Sequence, residues 1–320
     1  MSALPDVNHP RRAVVDANDA LALAEGQSRP VSIDHYENFP VASWLCPPAL
    51  RPAVAAIYQF ARVADDIADE GSATAADRRA LLAEYAAALQ RAASGDARGR
   101  WQGVFVPLAA AISRHHLPLQ LLNDLLSAFA QDTDNPLYPD RTALLDYCAR
   151  SANPVGRLLL HLAGVSDHDA LEQSDAICTA LQLINFWQDL SVDLPRGRIY
   201  VTAADAARFG LDARSLRAGA DTDASRALVR SLVGWARQTM LVGAPLVHCV
   251  RGRLGWELRF VVQGGLQVLD KIEADGCNTL SPRPTIDNSD LPRLAWRAMC
   301  MRRPVTAAVS APATSDERTL

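Results

Sequence analysis

Apolar residues recur at helical spacing along most of the chain, and strand-like alternation is scarce. Pro47-Pro48 marks the start of the first predicted helix, and Gly71 marks its stop. Neither a β-α-β rhythm nor a repeat of solenoid length is present. The helices predicted in this way cover 47–69, 75–93, 104–115, 119–130, 142–162, 169–190, 225–250 and 254–274. This pattern predicts an all-α fold, in which the helices of a single domain pack around a central cavity.

The two ends of the chain differ from its middle. Residues 1–30 are predicted to form a flexible N-terminal segment, and 305–320, rich in Ala, Pro, Ser and Thr, a disordered tail. No linker-like stretch divides the rest, so 31–304 is predicted to be one folded domain.

Composition excludes several classes of function. Of the 320 residues 49% are apolar, and the formal net charge is −4. This charge does not indicate binding to nucleic acid, which requires an excess of basic residues. The six cysteines form no Cys-x-x-Cys pair, which favours free thiols in a reducing compartment. No apolar run approaches the roughly 18–20 residues of a membrane span, and the N-terminus lacks a signal-peptide core. We therefore expect a cytoplasmic protein, and leave peripheral contact with the inner membrane open.

The first chemical signal is a row of acidic residues at the end of the first predicted helix. Asp65 and Asp69 are four residues apart and share a face, and Tyr58 and Arg62 fall on the same stripe. The preceding residues are apolar almost all round, as in a buried helix. Taken alone, the row could also be a solvated face.

A second polar row repeats this pattern within an apolar stretch more than a hundred residues later. Its members are spaced three, four and four residues apart: Gln182, Asn185, Asp189 and Asp193. Arg198 and Tyr200 follow after a break at Pro195. Two such rows in helices that look buried are stronger evidence for a site than either row alone.

Carboxylates that face each other in an apolar interior are costly unless cations neutralise them. Mg²⁺ suits this role because it takes oxygen ligands and bridges to phosphate. We expect two or three Mg²⁺ ions to hold a substrate diphosphate between the rows, with Arg62, Arg157 and Arg198 on the remaining phosphate oxygens. Loss of diphosphate in a dry cavity implies a carbocation, which aromatic faces stabilise. The aromatic candidates, most of them expected to be plain core, are Phe39, Tyr58, Phe60, Phe186 and Trp187.

With both Asp-x-x-x-Asp rows, the Tyr58–Arg62 approach and Arg198-Ile199-Tyr200, the chain resembles the squalene/phytoene synthase family over roughly residues 33–285. The resemblance implies an isoprenoid-synthase fold and Mg²⁺-dependent head-to-head prenyl chemistry. It implies two groups of metal or diphosphate ligands, Asp65 and Asp69 in the first row and Asn185, Asp189 and Asp193 in the second. It also implies substrate contacts at His35, Phe39, Tyr58, Arg62, Tyr147, Val155, Arg157, Gln182, Asn185, Arg198 and Tyr200.

Three segments are most similar to the members of this family that form hydroxysqualene in bacterial hopanoid biosynthesis: 37–43, 151–157 and 258–265. The resemblance implies that presqualene diphosphate reacts with water to give hydroxysqualene and diphosphate, without NADPH. A companion presqualene diphosphate synthase and a downstream reductase would be its pathway partners. Two alternatives stay open: another head-to-head synthase, making presqualene diphosphate, squalene, dehydrosqualene or phytoene, and a non-catalytic assembly factor. The sequence also leaves open chain-length specificity, oligomeric state and the roles of Asp66, Glu70 and Arg259.

One segment departs from many relatives, in which the residues after Tyr147-Cys148 are small and apolar. Here Ser151, Asn153 and Pro154 stand in their place. We expect Ser151 or Asn153 to orient the water that quenches the carbocation, since both side chains donate and accept hydrogen bonds. The alternative is that Asn153 only satisfies backbone groups freed by a kink at Pro154.

Overall fold

A computed structural model describes residues 46–278 and 283–302 of the chain. Within those ranges every regular element is a helix, which confirms the all-α prediction. The segments predicted to be flexible or disordered, 1–30 and 305–320, lie outside the described residues. The helices up to Gln188 are α1 (Arg51–Asp69), α2 (Ala75–Ala93), α3 (Gln102–His115), α4 (Leu119–Asp132), α5 (Arg141–Ser151), α6 (Asn153–Leu162) and α7 (His168–Gln188). After α7 follow α8 (Leu190–Asp193), a 3₁₀ turn (Leu194–Arg196), α9 (Ala203–Ala207), α10 (Ala213–Arg217), α11 (Asp223–Gly243), α12 (Leu246–Cys249), α13 (Gly252–Ala274) and α14 (Leu291–Cys300).

Helix α1 is amphipathic, and its apolar stripe fixes where its acidic row points. Ile57, Phe60 and Ala64 are buried against α2 and α3, and the Phe60 ring stacks on Tyr85 of α2 with centroids 5.4 Å apart. Pro52 lies in the first turn, where its missing N–H costs no helical hydrogen bond. Because this stripe is buried, the positions of Asp65 and Asp69 face a different, partly open side.

The second half of the chain forms its own apolar cluster around α7 and α11, with Trp187 and Met240 fully buried. Helix α6 joins the two clusters, since Leu158 belongs to the first and Leu160 to the second. Gly156 lets α6 lie close to α7, because a Cβ there would come within 2.5 Å of the Cys178 sulfur. The acidic rows are thus carried by α1 on one side and by the end of α7 on the other.

The prediction of one helix over 142–162 is wrong. The chain breaks at Ala152, where φ is −122° and ψ is −48°, so that α5 and α6 are separate helices. Pro154 explains the break, because it has no N–H to continue the α5 ladder and instead sits in the first turn of α6.

Two other predicted helices are interrupted as well. Helix α7 ends at Gln188 and Asp189 leaves helical geometry, with φ of −102° and ψ of 13°. The predicted helix over 225–250 ends at Gly243, and the short α12 follows Pro245. Three helices were not predicted at all: α9, α10 and α14.

Candidate active site

The last two turns of α1 carry one arginine followed by three aspartates. Arg62 lies 2.8 Å from Asp66 and 3.7 Å from Asp65, one turn further along the helix. Asp69 ends the helix and forms an ion pair of 2.8 Å with Arg198, which comes from the segment after the 3₁₀ turn. The first row is therefore connected directly to the other side of the site by Arg198.

The second row lies at the break between α7 and α8. Asp193 is 9% exposed, and its N–H donates to the Asp189 carbonyl at 2.8 Å, so the two residues keep an i, i+4 relation across the break. Asp189 forms an ion pair with Arg283, whose guanidinium also lies 3.5 Å from the Asn185 amide oxygen. Arg283 was not predicted to belong to the site, because nothing in the sequence around it indicates a partner almost a hundred residues away.

The two rows face each other. Asp69 of the first row acts on Asp193 of the second as a neighbouring negative charge, and Arg198 acts on both as a positive one. Rows directed to bulk solvent on opposite sides of the molecule would show no such coupling.

A third acidic group, missed in the sequence, completes the cluster. Asp132 ends α4 and accepts a 2.8 Å hydrogen bond from the Tyr147 hydroxyl of α5. Asp65 and Asp69 are among the charges that act on it. Its only sequence signal was a single carboxylate at the end of an apolar helix, without the four-residue repeat that marks the other rows.

Burial and mutual repulsion raise the pKa values of these carboxylates above their ordinary range. Burial, followed by the charge of Asp69, raises the pKa of Asp65 to about 7. Burial raises the pKa of Asp132 to about 7, against the opposing hydrogen bond from Tyr147. Burial and the charge of Asp189 raise the pKa of Asp193 to about 6. Binding of a cation stabilises such an acidic cluster, because the cation offsets the repulsion between the carboxylates.

The donor set fits Mg²⁺. Among the described residues no three His, Cys, Asp or Glu side chains converge on one point as a ready cage. Mg²⁺ does not require one, because it is commonly held by one or two carboxylates together with water and substrate phosphate. Carboxylates of α1 and of the α7–α8 break that share Arg198 as a neighbour are therefore compatible with magnesium.

Aromatic rings line the same region. Tyr200 stacks on Phe186 with centroids 3.8 Å apart, and Tyr147 lies 6.1 Å from Tyr200. Two of the other aromatic candidates belong to the apolar clusters: Phe60 stacks with Tyr85, and Trp187 packs beside Trp235. Tyr58 is half-buried on α1, one turn before Arg62.

Several predicted site residues lie elsewhere or outside the description. The structure does not bring Arg157 to the acidic rows: it is exposed and bonds Asp175 of α7 at 2.9 Å. Val155, on the same helix, is 38% exposed. Gln182 is half-buried on α7, about one turn before Asn185, which is exposed. Two predicted substrate contacts, His35 and Phe39, lie outside the described residues.

The side chains of Ser151 and Asn153, in the segment that departs from many relatives, differ in their hydrogen bonds. The Asn153 side-chain oxygen accepts a 3.0 Å hydrogen bond from the Thr179 hydroxyl, which ties α6 to α7. The Ser151 hydroxyl is buried and has no partner among the described residues. Ser151 lies four residues after Tyr147 and thus on the same face of α5.

Comparison with known proteins agrees with this fold and site. The squalene/phytoene synthase family profile matches residues 34–290, and the chain belongs to this family. Its fold is that of the all-α isoprenoid synthases, and its family consists of enzymes of prenyl synthesis.

Individual members of the family to which the chain is similar include hydroxysqualene synthases and a squalene synthase. The chain is 39% identical over 204 residues to a hydroxysqualene synthase of Zymomonas mobilis, a match that covers 60% of this chain and 65% of the relative. It is 35% identical to a hydroxysqualene synthase of Sinorhizobium fredii, covering 74% of this chain and 78% of that one. The crystal structure of a squalene synthase from Alicyclobacillus acidocaldarius superposes with a TM-score of 0.71 at 36% identity, covering 82% of this chain and 94% of that one.

Proposed function

We propose that this protein is a hydroxysqualene synthase. It ionises presqualene diphosphate, lets the cyclopropylcarbinyl cation rearrange, and captures the product cation with water to give hydroxysqualene and diphosphate. The opposed carboxylates of α1 and of the α7–α8 break, joined by Arg198, carry this proposal, because such an acidic cluster is suited to bind a diphosphate together with divalent cations. The 35–39% identity to hydroxysqualene synthases supports the particular reaction.

Each polar group has a role in this scheme. Asp65, Asp69, Asn185, Asp189 and Asp193 would hold two or three Mg²⁺ ions, which would supply charge neutralisation of the leaving diphosphate. Arg62 and Arg198 are placed to bond phosphate oxygens, since both already pair with carboxylates of the first row. Asp132 holds the Tyr147 hydroxyl, so that the ring of Tyr147 is fixed beside Tyr200.

The aromatic group protects the cation after the C–O bond to diphosphate has broken. Tyr147 and the face of Tyr200 that Phe186 does not cover would offer cation–π attraction, worth on the order of 1–2 kcal/mol each in a dry site. Tyr58 is proposed to act from α1 in the same way. These side chains would also exclude bulk water from the cation.

The water that ends the reaction is proposed to be bound by Ser151. A buried hydroxyl without a protein partner is commonly satisfied by an ordered water. Asn153 is a weaker candidate, because its oxygen is already used by Thr179. The alternative was that Asn153 satisfies backbone groups freed by Pro154. The observed donor to Asn153 is instead a side chain, the Thr179 hydroxyl of α7.

We expect Ser151→Ala to lower the share of hydroxylated product about 2- to 10-fold, the equivalent of one lost hydrogen bond, and to raise the share of alkenes formed by proton loss. Product ratios from gas chromatography measure this. Asn153→Ala should lower the free energy of unfolding more than it changes the product ratio. The matched control is Ser127→Ala, at an exposed hydroxyl that accepts a hydrogen bond from Arg150. A Ser151→Ala enzyme that makes hydroxysqualene at the wild-type ratio and rate would remove the role given to this hydroxyl.

The proposed reaction is tested by product analysis of the purified full chain. Presqualene diphosphate is supplied with Mg²⁺, with and without NADPH, and farnesyl or geranylgeranyl diphosphate is supplied in parallel samples. We expect the tertiary alcohol from presqualene diphosphate without a reductant. A strict requirement for NADPH, or a C40 product from a longer substrate, would contradict the proposal.

A second candidate is a squalene synthase, favoured by the similarity to the Alicyclobacillus protein. It would use the same carboxylates and replace water by a hydride donor as the final nucleophile. In the hydroxysqualene scheme, a companion presqualene diphosphate synthase supplies the substrate and a reductase consumes the alcohol. The NADPH arm of the product assay separates the two.

A further inference from the structure

Two segments distant in sequence meet on one surface, which we call the Arg259 surface: 248–260, from α12 into α13, and 291–302, which contains α14. Arg259 joins them, because its guanidinium donates to the carbonyls of Ala298 and Met301 at 3.2 Å each. His248 adds a second link, with its imidazole 2.8 Å from the Arg302 carbonyl and 3.0 Å from Arg259. The end of α14 is thereby fixed beside the first turns of α13.

Large apolar side chains on this surface are exposed to solvent. Trp296 is 66% exposed and Met299, three residues later on the same side of α14, is 58% exposed. Trp256 of α13 is 44% exposed and lies under the Arg259 guanidinium, 5.2 Å from its ring centroid. Among the described residues these are the two exposed tryptophans of the chain. Leu294 and Ala298, on the other side of α14, are buried, so the helix is seated on the bundle and its outer side remains apolar as well.

The charge of the Arg259 surface is opposite to that of the chain. The two segments contain six arginines and one acidic residue, Glu257, whereas the whole chain carries a net charge of −4. Asp270 of α13 balances part of this charge through Arg293 and Arg297, at 3.5 and 2.7 Å. The basic excess is then carried mainly by the end at which Trp256, Met299 and Arg302 lie.

We propose that the Arg259 surface docks on a lipid bilayer that contains anionic headgroups. Tryptophan and arginine side chains next to each other are typical of protein segments that lie at the membrane interface, where indole rings enter the headgroup layer and guanidinium groups bind phosphate. None of the described helices is long and apolar enough to cross a bilayer, so the contact is a surface one. The inference does not depend on which reaction the site performs.

A second copy of the chain is the less favourable occupant. A two-fold dimer through this surface would place the basic end of one copy, with Arg251 and Arg302, against that of the other, because Asp270 offsets only Arg293 and Arg297. An anionic membrane offers charge of the right sign and an apolar layer for the tryptophans. The same surface thus fits a lipid headgroup region better than its own copy.

The test is flotation of the purified full chain with vesicles of phosphatidylcholine alone or mixed with phosphatidylglycerol. We expect binding to the mixed vesicles that weakens as salt is raised. The double variant Trp296→Ser/Met299→Ser should bind about tenfold more weakly, and Arg251→Gln and Arg302→Gln about fivefold each. Val106→Ser, at an apolar side chain that is 56% exposed on α3, is the matched control and should float like the wild type.

Thermal melting of each variant shows that it folds, and the two arginine variants test the surface without removing any apolar contact. Absence of wild-type protein from the floated fraction would overturn the proposal. So would flotation of the Trp296→Ser/Met299→Ser protein at the wild-type level, or a wild-type dimer in light scattering that this variant abolishes. Because binding is read without turnover, failure here leaves the product assay unaffected.

Discussion

Replacing Asp65 by Asn should lower kcat by about 10²- to 10³-fold, because it removes one of the carboxylates proposed to hold the cation on which the departing diphosphate relies. The variant keeps nearly the same shape and loses only the charge. Release of diphosphate and formation of product, both measured with Mg²⁺ present, report the effect. Asp189→Asn should show a loss of the same order from the opposite row.

The fold should tolerate the Asp65→Asn change and become slightly more stable at neutral pH. The pKa of Asp65 is about 7 in the folded protein, against 3.8 for the free side chain. The folded state therefore keeps a proton that the unfolded state releases, and the free energy of unfolding falls as pH rises through this window. Asn cannot ionise, so the gain in Tm is absent near pH 4 and greatest above pH 7. Since the Asp65 side chain is 40% exposed, we expect only about 2–3 °C.

The control is Asp146→Asn, at a carboxylate that is 69% exposed and pairs with Arg150 on α5. It should leave both kcat and Tm close to wild type. Wild-type turnover by Asp65→Asn would contradict the role given to the first row. A fall in Tm that is the same at every pH would instead indicate that Asp65 supports the fold by packing.

Asp205→Ala should lower the free energy of unfolding by about 3–5 kcal/mol, which is the typical effect of removing one partner of a buried ion pair. Asp205 has a side-chain exposure of 4% and accepts two hydrogen bonds from the Arg141 guanidinium at 2.9 Å. It also accepts one from the Thr202 hydroxyl at 2.9 Å. Urea denaturation, read by circular dichroism, measures the loss.

Two comparisons show whether the charge pair is the cause. The double variant Arg141→Met/Asp205→Leu should recover part of the stability, because no uncompensated charge remains. Asp221→Ala, at an exposed carboxylate paired with Arg226, should hardly move the denaturation midpoint. If Asp205→Ala and Asp221→Ala proved equally mild, the pair would have no special role. The pair matters for the site because it fixes the segment after Tyr200, whose Ala203 N–H also donates to the Tyr138 carbonyl at 2.9 Å.

Most long helices could be predicted from periodicity alone, because burial of one stripe and exposure of another is a local property of the chain. Helix α2 has the predicted bounds, and α1 ends where it was predicted to end. Helix α14 was missed because its ten residues are fewer than the window over which helical periodicity is recognised.

The two acidic rows were visible in the sequence since their spacing repeats, but the rest of the cluster depends on tertiary contacts. Asp132 and Arg283 enter the site from α4 and from the segment before α14, and neither stands in a repeated pattern. Arg157 shows the reverse error. It lies in a segment that resembles the family, yet its guanidinium is taken by Asp175 and the structure does not bring it to the rows. Residue type and neighbourhood in sequence do not decide which way a side chain turns.

The pairing of Asp69 with Arg198 and of Asp189 with Arg283 means that the folded chain supplies its own counterions. Under the proposed function, the divalent metal ions that accompany a diphosphate would take over the carboxylates, and the guanidinium groups of Arg198 and Arg283 would turn to the phosphate oxygens. Substrate binding would then exchange one set of ionic contacts for another, so the framework of helices needs no metal to balance its charges beforehand.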